Sequence, residues 1–220
     1  MQFKGSKEYV STDDLSIAVN AAINLEKPLL VKGEPGTGKT ELARQISKSL
    51  NLEIIEWNIK STTKAQQGLY EYDAVTRLRD SQLYKDKIDD ISRYIKKGKI
   101  WQSFESEERA VLLIDEIDKS DDEFEAFLLE ILSDYQVSIP EIGTIEGKVK
   151  PIVFLTSNNT REIGDALKRR CLHLYISFPD AKLEAKIIAS RIPEIEQDLK
   201  NELVNFVQNL RELDLSLIHI

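Results

Sequence analysis

"GEPGTGKT", residues 33–40, separates an apolar run from a helical one, and how it is read decides the fold. It fits G-x-x-x-x-G-K-[ST], with Gly33, Gly38, Lys39 and Thr40 in the fixed places. Chance alone would produce such a match about once per hundred chains of this length. The context is the confirming one: "PLLVK" (28–32) has the look of a buried strand, and Leu42, Ala43, Ile46 and Leu50 follow at helical spacing. Glycines there let successive backbone N–H groups turn inward on phosphate oxygens. A helix starting near Gly38 adds the positive end of its dipole. Lys39 suits the β- and γ-phosphates, and the Thr40 hydroxyl suits Mg²⁺. With Glu34, Pro35, Gly36, Thr37 and Glu41, this loop is the expected site for ATP and Mg²⁺. The plain alternative is an ordinary strand-to-helix turn.

Working outward, four more apolar runs read as strands: "EIIEW" (53–57), "AVLLI" (110–114), "PIVFLT" (151–156) and "LHLYISF" (172–178). Runs that are apolar throughout suit strands covered on both faces. A helix is expected after Ser120, with Ser120 and Glu123 at capping-box spacing and Phe124, Phe127, Leu128, Ile131, Leu132 and Tyr135 as its apolar set. Strands alternating with helices predict a parallel sheet in an α/β fold. Residues 60–103 resist assignment, although "DDISRYIKKGKIW" looks helical, and 136–150 reads as a β-hairpin turning at Gly143 and Gly147. Beyond a boundary near Pro179 the pattern is helical. Asp180 is a candidate N-cap for 181–191, and Pro193 precedes a second helix with Ile195, Leu199, Leu203, Phe206, Val207 and Leu210 on its apolar face. The expected organisation is 1–179 as nucleotide-binding core, 180–214 as a partial helical lid, and 215–220 as a tail outside the fold. That tail, "LSLIHI", resembles translated adapter read-through; a genuine apolar terminus is the alternative.

Two strand ends carry chemistry. In "VLLIDEID" (111–118) four apolar residues lead to Asp115 and Glu116. Carboxylates at the end of a buried strand are costly unless metal or hydrogen bonds compensate. Asp115 would hold the water shell of Mg²⁺, and Glu116 would act as general base on the attacking water. Alone the pair is a moderate signal, equally a solvated strand end; beside the glycine loop it is strong. Asp118 reads as a solvated or packing residue. In "PIVFLTSNN" (151–159), Asn158 would end a parallel strand at the same edge and reach the γ-phosphate or the water, or else cap a turn. In "DALKRRC" (165–171), Arg169 and Arg170 either finish a helix in solvent or project towards a neighbour's nucleotide, where one arginine is worth roughly 10³–10⁵ in rate.

The 220 residues carry a formal charge of −8, which argues against a nucleic-acid or anionic-membrane partner, although a local basic patch would not show in the total. One cysteine, Cys171, excludes an internal disulfide, and two histidines offer no zinc-ligand spacing. His173 alternates with leucines and reads as a strand-face residue. No run approaches the roughly 20 apolar residues of a membrane helix, and "MQFKGSKEYV" has no signal-peptide core. A cytoplasmic location is the expectation.

The glycine loop, "LLIDEID", "TSN" and "ALKRRC", in that order, resemble an AAA+ ATPase over nearly the whole chain. "STTKAQQGLYEYDAV" and "DEFEAFLLEILSDYQVSIPEIGTI" narrow the resemblance to the MoxR branch, near its CoxD and CbbQ/NirQ-type members. The resemblance implies a five-stranded parallel sheet in the order 5-1-4-3-2 flanked by helices, and a ring, usually a hexamer, with ATP at subunit boundaries. It makes 33–40 the Walker A loop, Asp115 and Glu116 the Walker B pair, Asn158 sensor 1 and Arg170 the arginine finger with Arg169 as helper or substitute. Asn58 takes the place of a switch residue restraining Glu116. The segment at 60–103 and the hairpin at 137–150 match pore-side insertions, with Gly68, Tyr70 and Tyr72 touching a client; for the two tyrosines the alternative is packing on the helix that follows. Sensor 2 would lie beyond Leu210. The implied function is ATP hydrolysis that remodels or matures a partner protein or metalloenzyme, often beside a protein with a von Willebrand factor A domain. The alternatives are a clamp-loader-like ATPase on DNA and an ATP-binding scaffold without efficient hydrolysis.

Overall fold

The computed structural model describes residues 2–6, 9–83, 91–139 and 143–212; the 215–220 tail lies outside them. A parallel five-stranded sheet organises the chain. Its strands are β1 (Leu29–Gly33), β2 (Ile54–Asn58), β5 (Val111–Asp115), β8 (Ile152–Ser157) and β9 (Leu172–Ile176), in the spatial order β2-β5-β8-β1-β9. Numbered among themselves, these strands run 5-1-4-3-2 from the other edge, the expected order. β8 is buried at every position, and β5 at all but Asp115. The last strand stops at Ile176, two residues short of the apolar run that announced it.

Helices cover both faces, with a separate apolar cluster under each. On one face α1 (Asp13–Leu25) and α2 (Lys39–Leu50) pack Leu15, Val19, Leu42 and Ile46 on Val31 and Leu113. On the other, α4 (Lys99–Glu105) and α5 (Asp122–Asp134) pack Trp101, Phe104, Phe124 and Leu128 on Ile114 and Leu155. The fully buried Phe3 ties the N-terminal segment to α1, its N–H donating to Asn20 Oδ1 at 2.7 Å. No helix among the described residues is long and apolar enough to cross a membrane.

The cap of α5 corrects the sequence reading. Asp121, not Ser120, is the N-cap, its carboxylate accepting from Phe124 N–H at 2.8 Å. The buried Ser120 hydroxyl is spent on the Ile117 carbonyl, closing the turn at 117–119. A cap of this kind is worth about 1 kcal/mol.

The helical expectation over 89–101 is also corrected. Residues 91–94 form a 3-10 turn and Ile95–Lys97 a strand, β4, before α4 begins. β4 pairs antiparallel with β3 (Tyr70–Tyr72), and α3 (Ala74–Leu83) lies between them in the chain. Gly68 packs in the core, where a Cβ would stand 2.4 Å from the Trp57 ring. Tyr70 is buried; the half-exposed Tyr72 accepts from Arg77, whose guanidinium also covers its ring. The Arg77 contact, from α3, supports the packing alternative for Tyr72. The hairpin pairs β6 (Gln136–Ile139) with β7 (Gly143–Glu146) and feeds β8 as expected.

Helix α6 (Asp165–Arg170) leads into β9, and α7 (Ala181–Arg191) and α8 (Gln197–Glu212) complete the described chain. Asp180 caps α7, accepting from Leu183 N–H at 2.7 Å. The buried face of α8 differs from the expected one. Val204 is its buried residue, whereas Leu199, Phe206 and Leu210 are 50, 61 and 38% exposed. A polar set at the same helical spacing explains the rotation: Gln208 and Arg211 reach Glu184 of α7, and their bonds set which side faces inward.

Candidate nucleotide site

Parallel strands deliver their C-terminal ends to one edge, and the expected site residues meet there. β1 runs into the glycine loop, β5 into Asp115 and Glu116, and β8 into Asn158. Gly33 pairs with Ile176 of β9 so closely that a Cβ would stand 2.2 Å from the Ile176 carbonyl oxygen. Gly38 caps α2 in the left-handed region, φ 87°. A side chain there would be strained, and glycine lets the loop close onto the helix N-terminus.

A cleft of about 370 Å³ lies between the glycine loop (Pro35, Gly36 and Gly38 to Glu41), Arg44, Asp115, Glu116, Thr156 and Asn158. Across it Thr40 Oγ1 donates to both oxygens of Asp115, at 2.9 and 3.1 Å. Lys39 is buried and folds back, donating to the carbonyls of Gly33 at 2.9 Å and Glu34 at 2.8 Å. Burial pulls its ammonium below the usual lysine range, against the opposing pull of Asp115, Asp118, Glu34 and Glu116. An incoming polyphosphate would favour the charged form.

Glu116 has φ 61° and ψ 47°, a left-handed conformation unusual for a residue with a side chain. Its carboxylate is held by Asn158 Nδ2 at 3.3 Å and by Lys119 Nζ at 2.5 Å. Asn58 is exposed at the end of β2, level with Asp115, and the Glu116 partners are Asn158 and Lys119 instead. Asp118, read from sequence as solvated or packing, is 3% exposed and accepts from the N–H groups of Asn158 and Thr160, both at 3.1 Å.

Arg169 and Arg170 are not brought to this edge. They end α6 just before Leu172, which pairs with Leu29 at the opposite end of β1. Both are exposed, and Arg170 donates to the Leu129 carbonyl at 3.1 Å. The five residues of β9, four steps or about 13 Å, separate them from the cleft. His173 sits on an exposed strand face with Nε2 2.8 Å from the Lys168 carbonyl. Cys171 is buried, which pushes its thiol up to about 12.

A second cleft of about 580 Å³ adjoins the glycine loop, and sequence reasoning missed it. Its walls include Tyr9, Val10, Ile176, Leu183, Ile187 and Arg211. Tyr9 comes from the N-terminal segment and lies against Gly38. Burial, aided by Glu41, raises its phenol to about 12. Arg211 makes a bidentate pair with Glu184 and covers the Phe178 ring at 4.8 Å. The spacing of Thr12, Leu15, Val19, Ala22 and Ile23 was the available signal for α1, and it points to the strap beside it.

A glycine loop on a helix N-terminus, facing an acidic strand end across a parallel sheet, defines a phosphate-binding-loop nucleotide domain. The family model for the AAA domain, dynein-related subfamily, matches residues 28–171, about two thirds of the chain, and the chain belongs to that family. Membership implies nucleotide binding, and AAA proteins generally form oligomeric rings. A crystal structure from Cytophaga hutchinsonii, of a protein provisionally named an ATPase, is similar in fold, with a TM-score of 0.57 and 17% identity over 86% of this chain. The chain spans 55% of that protein's length. No curated protein matches the sequence.

The donor set fits Mg²⁺. Among the described residues no three His, Cys, Asp or Glu side chains converge as a protein-only metal cage. One carboxylate and one hydroxyl on hard oxygens, already in contact, are what Mg²⁺ uses when phosphate and water complete its shell.

Proposed function

We propose that this chain binds ATP with Mg²⁺ and hydrolyses it, working in a ring of copies as a MoxR-type ATPase that remodels or matures a partner protein. The observation that carries the proposal is the Thr40–Asp115 bond, which joins the phosphate loop to the acidic strand end at one point. The triphosphate takes the loop from Gly33 to Glu41, with Lys39 leaving the Gly33 and Glu34 carbonyls for phosphate oxygens. The second cleft takes the nucleoside, between the N-terminal strap and α7.

Thr40 and Asp115 would hold Mg²⁺, which would supply neutralisation of charge on the transferring phosphoryl group. Glu116 takes a proton from water as the water oxygen attacks the γ-phosphorus in line. The bond from that phosphorus to the β,γ-bridging oxygen breaks, giving ADP and phosphate. Asn158 orients Glu116 and the water.

Arg170, with Arg169 beside it, acts on the nucleotide of a neighbouring copy. Its place at the far edge of the sheet supports action between subunits, since its own cleft is out of reach. The helices after Pro179 turn against the sheet domain as the nucleotide changes. The client is a protein, in keeping with the acidic total charge and the MoxR-like stretches at 61–75 and 122–145, and a von Willebrand factor A domain protein is the candidate companion.

Single-turnover cleavage of ATP at high protein concentration tests the proposal. The wild-type chain should cleave, and Glu116→Gln should bind ATP with similar affinity and cleave at least about 100-fold more slowly. Equal rates for the two proteins would overturn Glu116 as base; no cleavage by either would leave an ATP-binding scaffold.

A further inference from the structure

β8 is buried along its whole length, yet it ends in two hydroxyls, Thr156 and Ser157, that are 1% and 0% exposed. Buried hydroxyls need partners. The Ser157 oxygen accepts from Asn159 N–H at 3.1 Å, a local turn contact. The Thr156 partners lie on another strand. Its Oγ1 donates to Asp115 Oδ1 and accepts from the Glu116 backbone N–H at 2.9 Å. One hydroxyl therefore touches both acidic residues: the carboxylate of the first and the backbone of the second.

We propose that Thr156 is a positioning residue, orienting the Asp115 carboxylate towards the metal while holding Glu116 in its left-handed turn. This rests on the ATPase reading above. The left-handed region is disfavoured for a residue with a side chain, so something must hold it. The bond from Glu116 N–H to Thr156 supplies that restraint at the residue itself. Asp115 receives hydroxyl donors from Thr40 and Thr156. When Thr40 turns its oxygen to a cation, Thr156 is the hydroxyl that remains, and it fixes which oxygen of Asp115 is engaged. Serine would keep both bonds. Valine would keep the volume and lose both.

The test compares Thr156→Val, Thr156→Ser and wild type in two measurements. One is the Mg²⁺ midpoint for binding of a fluorescent ADP analogue, which needs no turnover. The other is kcat and KM for ATP. Partners behind a metal ligand are typically worth 10–100-fold, so Thr156→Val should raise the Mg²⁺ midpoint about tenfold and lower kcat by roughly 10–100-fold. At saturating Mg²⁺, KM for ATP should stay within about threefold, because binding common to ground and transition states is then untouched, and Thr156→Ser should track wild type.

A Thr156→Val protein with a wild-type midpoint overturns the proposal. So does a Thr156→Ser protein as impaired as Thr156→Val, since shape and not the hydroxyl would then matter. Should the valine variant not fold, Thr156→Cys replaces it, a weak donor and acceptor with the same expected direction. If wild type binds the analogue but cleaves no ATP, the ATPase reading fails while the Mg²⁺ midpoint still decides for or against Thr156.

Discussion

The buried carboxylate of Asp118 accepts the backbone N–H of Asn158 at 3.1 Å, so the turn after the acidic strand holds the residue that touches Glu116. The same carboxylate takes the N–H and the hydroxyl of Thr160, fixing the loop that leaves β8. A residue three positions from Asp115 thereby couples two strand ends.

Asp118→Asn is expected to destabilise the fold by about 2–3 kcal/mol, the range for losing charge-assisted bonds in a buried setting. Burial works against the charged form, but the bonds from Thr160 and Asn158 together outweigh it and hold the Asp118 carboxyl below the usual range. A depressed folded value means stability that is complete above the unfolded pKa of about 3.9 and drains away as pH falls through the folded value. Urea unfolding of the two proteins should therefore differ most at neutral pH and converge in acid. A pH-independent gap would show that the charge is not what Asp118 contributes.

Lys119 pairs with Glu116 across half-exposed surface, and that pair lifts the Lys119 ammonium above its ordinary range. The ammonium occupies one oxygen of the proposed base, so Lys119→Met should raise the single-turnover rate, by about 2- to 5-fold at low salt and less at high salt, as screened pairs behave. Stability should hardly change, because a solvent-screened surface pair contributes little to folding. A rate that falls tenfold would make Lys119 part of the machinery and not a restraint on it.

The glycine loop, the acidic strand end and the buried parallel strands were legible because each rests on strong local physics, whereas the order of the strands came only from the family resemblance. Lys39 and Thr40 are needed at fixed spacing, and strands buried on both faces are apolar throughout. What escaped was set by tertiary partners. The α8 face follows Glu184, a residue in another helix, so apolar spacing alone misplaced it. Residues 95–97 join a strand because 70–72 lie beside them, which no short window shows. Ser120 looked like a cap until the turn at 117–119 claimed its hydroxyl. Tyr9 reaches the glycine loop only through packing of the N-terminal strap.

The Glu184–Arg211 pair, with Glu184 nearly buried, joins the Gln208–Glu184 bond in linking α7 to α8. Glu184→Ala leaves Arg211 without its bidentate partner, and exposure of Arg211 to solvent tempers the loss to about 1–3 kcal/mol. Hydrogen exchange should show faster amides across 197–211 and unchanged protection in β5 and β8. Uniform loss over both would mean that the helix pair and the sheet unfold as one unit.

Arg170 stands at the sheet edge away from its own cleft, held by the Leu129 carbonyl. Action between subunits then makes a specific demand. Arg170→Ala should bind nucleotide normally and turn over slowly, by roughly 10³-fold if it is the stabilising arginine of the neighbour's transition state. Lys39→Ala should fail for the opposite reason, with an intact arginine and a damaged cleft. Mixed assemblies place the intact cleft of one beside the intact arginine of the other, so activity should reappear in the mixture with a maximum near equal proportions. A verified mixed ring that stays inactive would place the arginine's effect within its own subunit, and the distance along β9 argues against that.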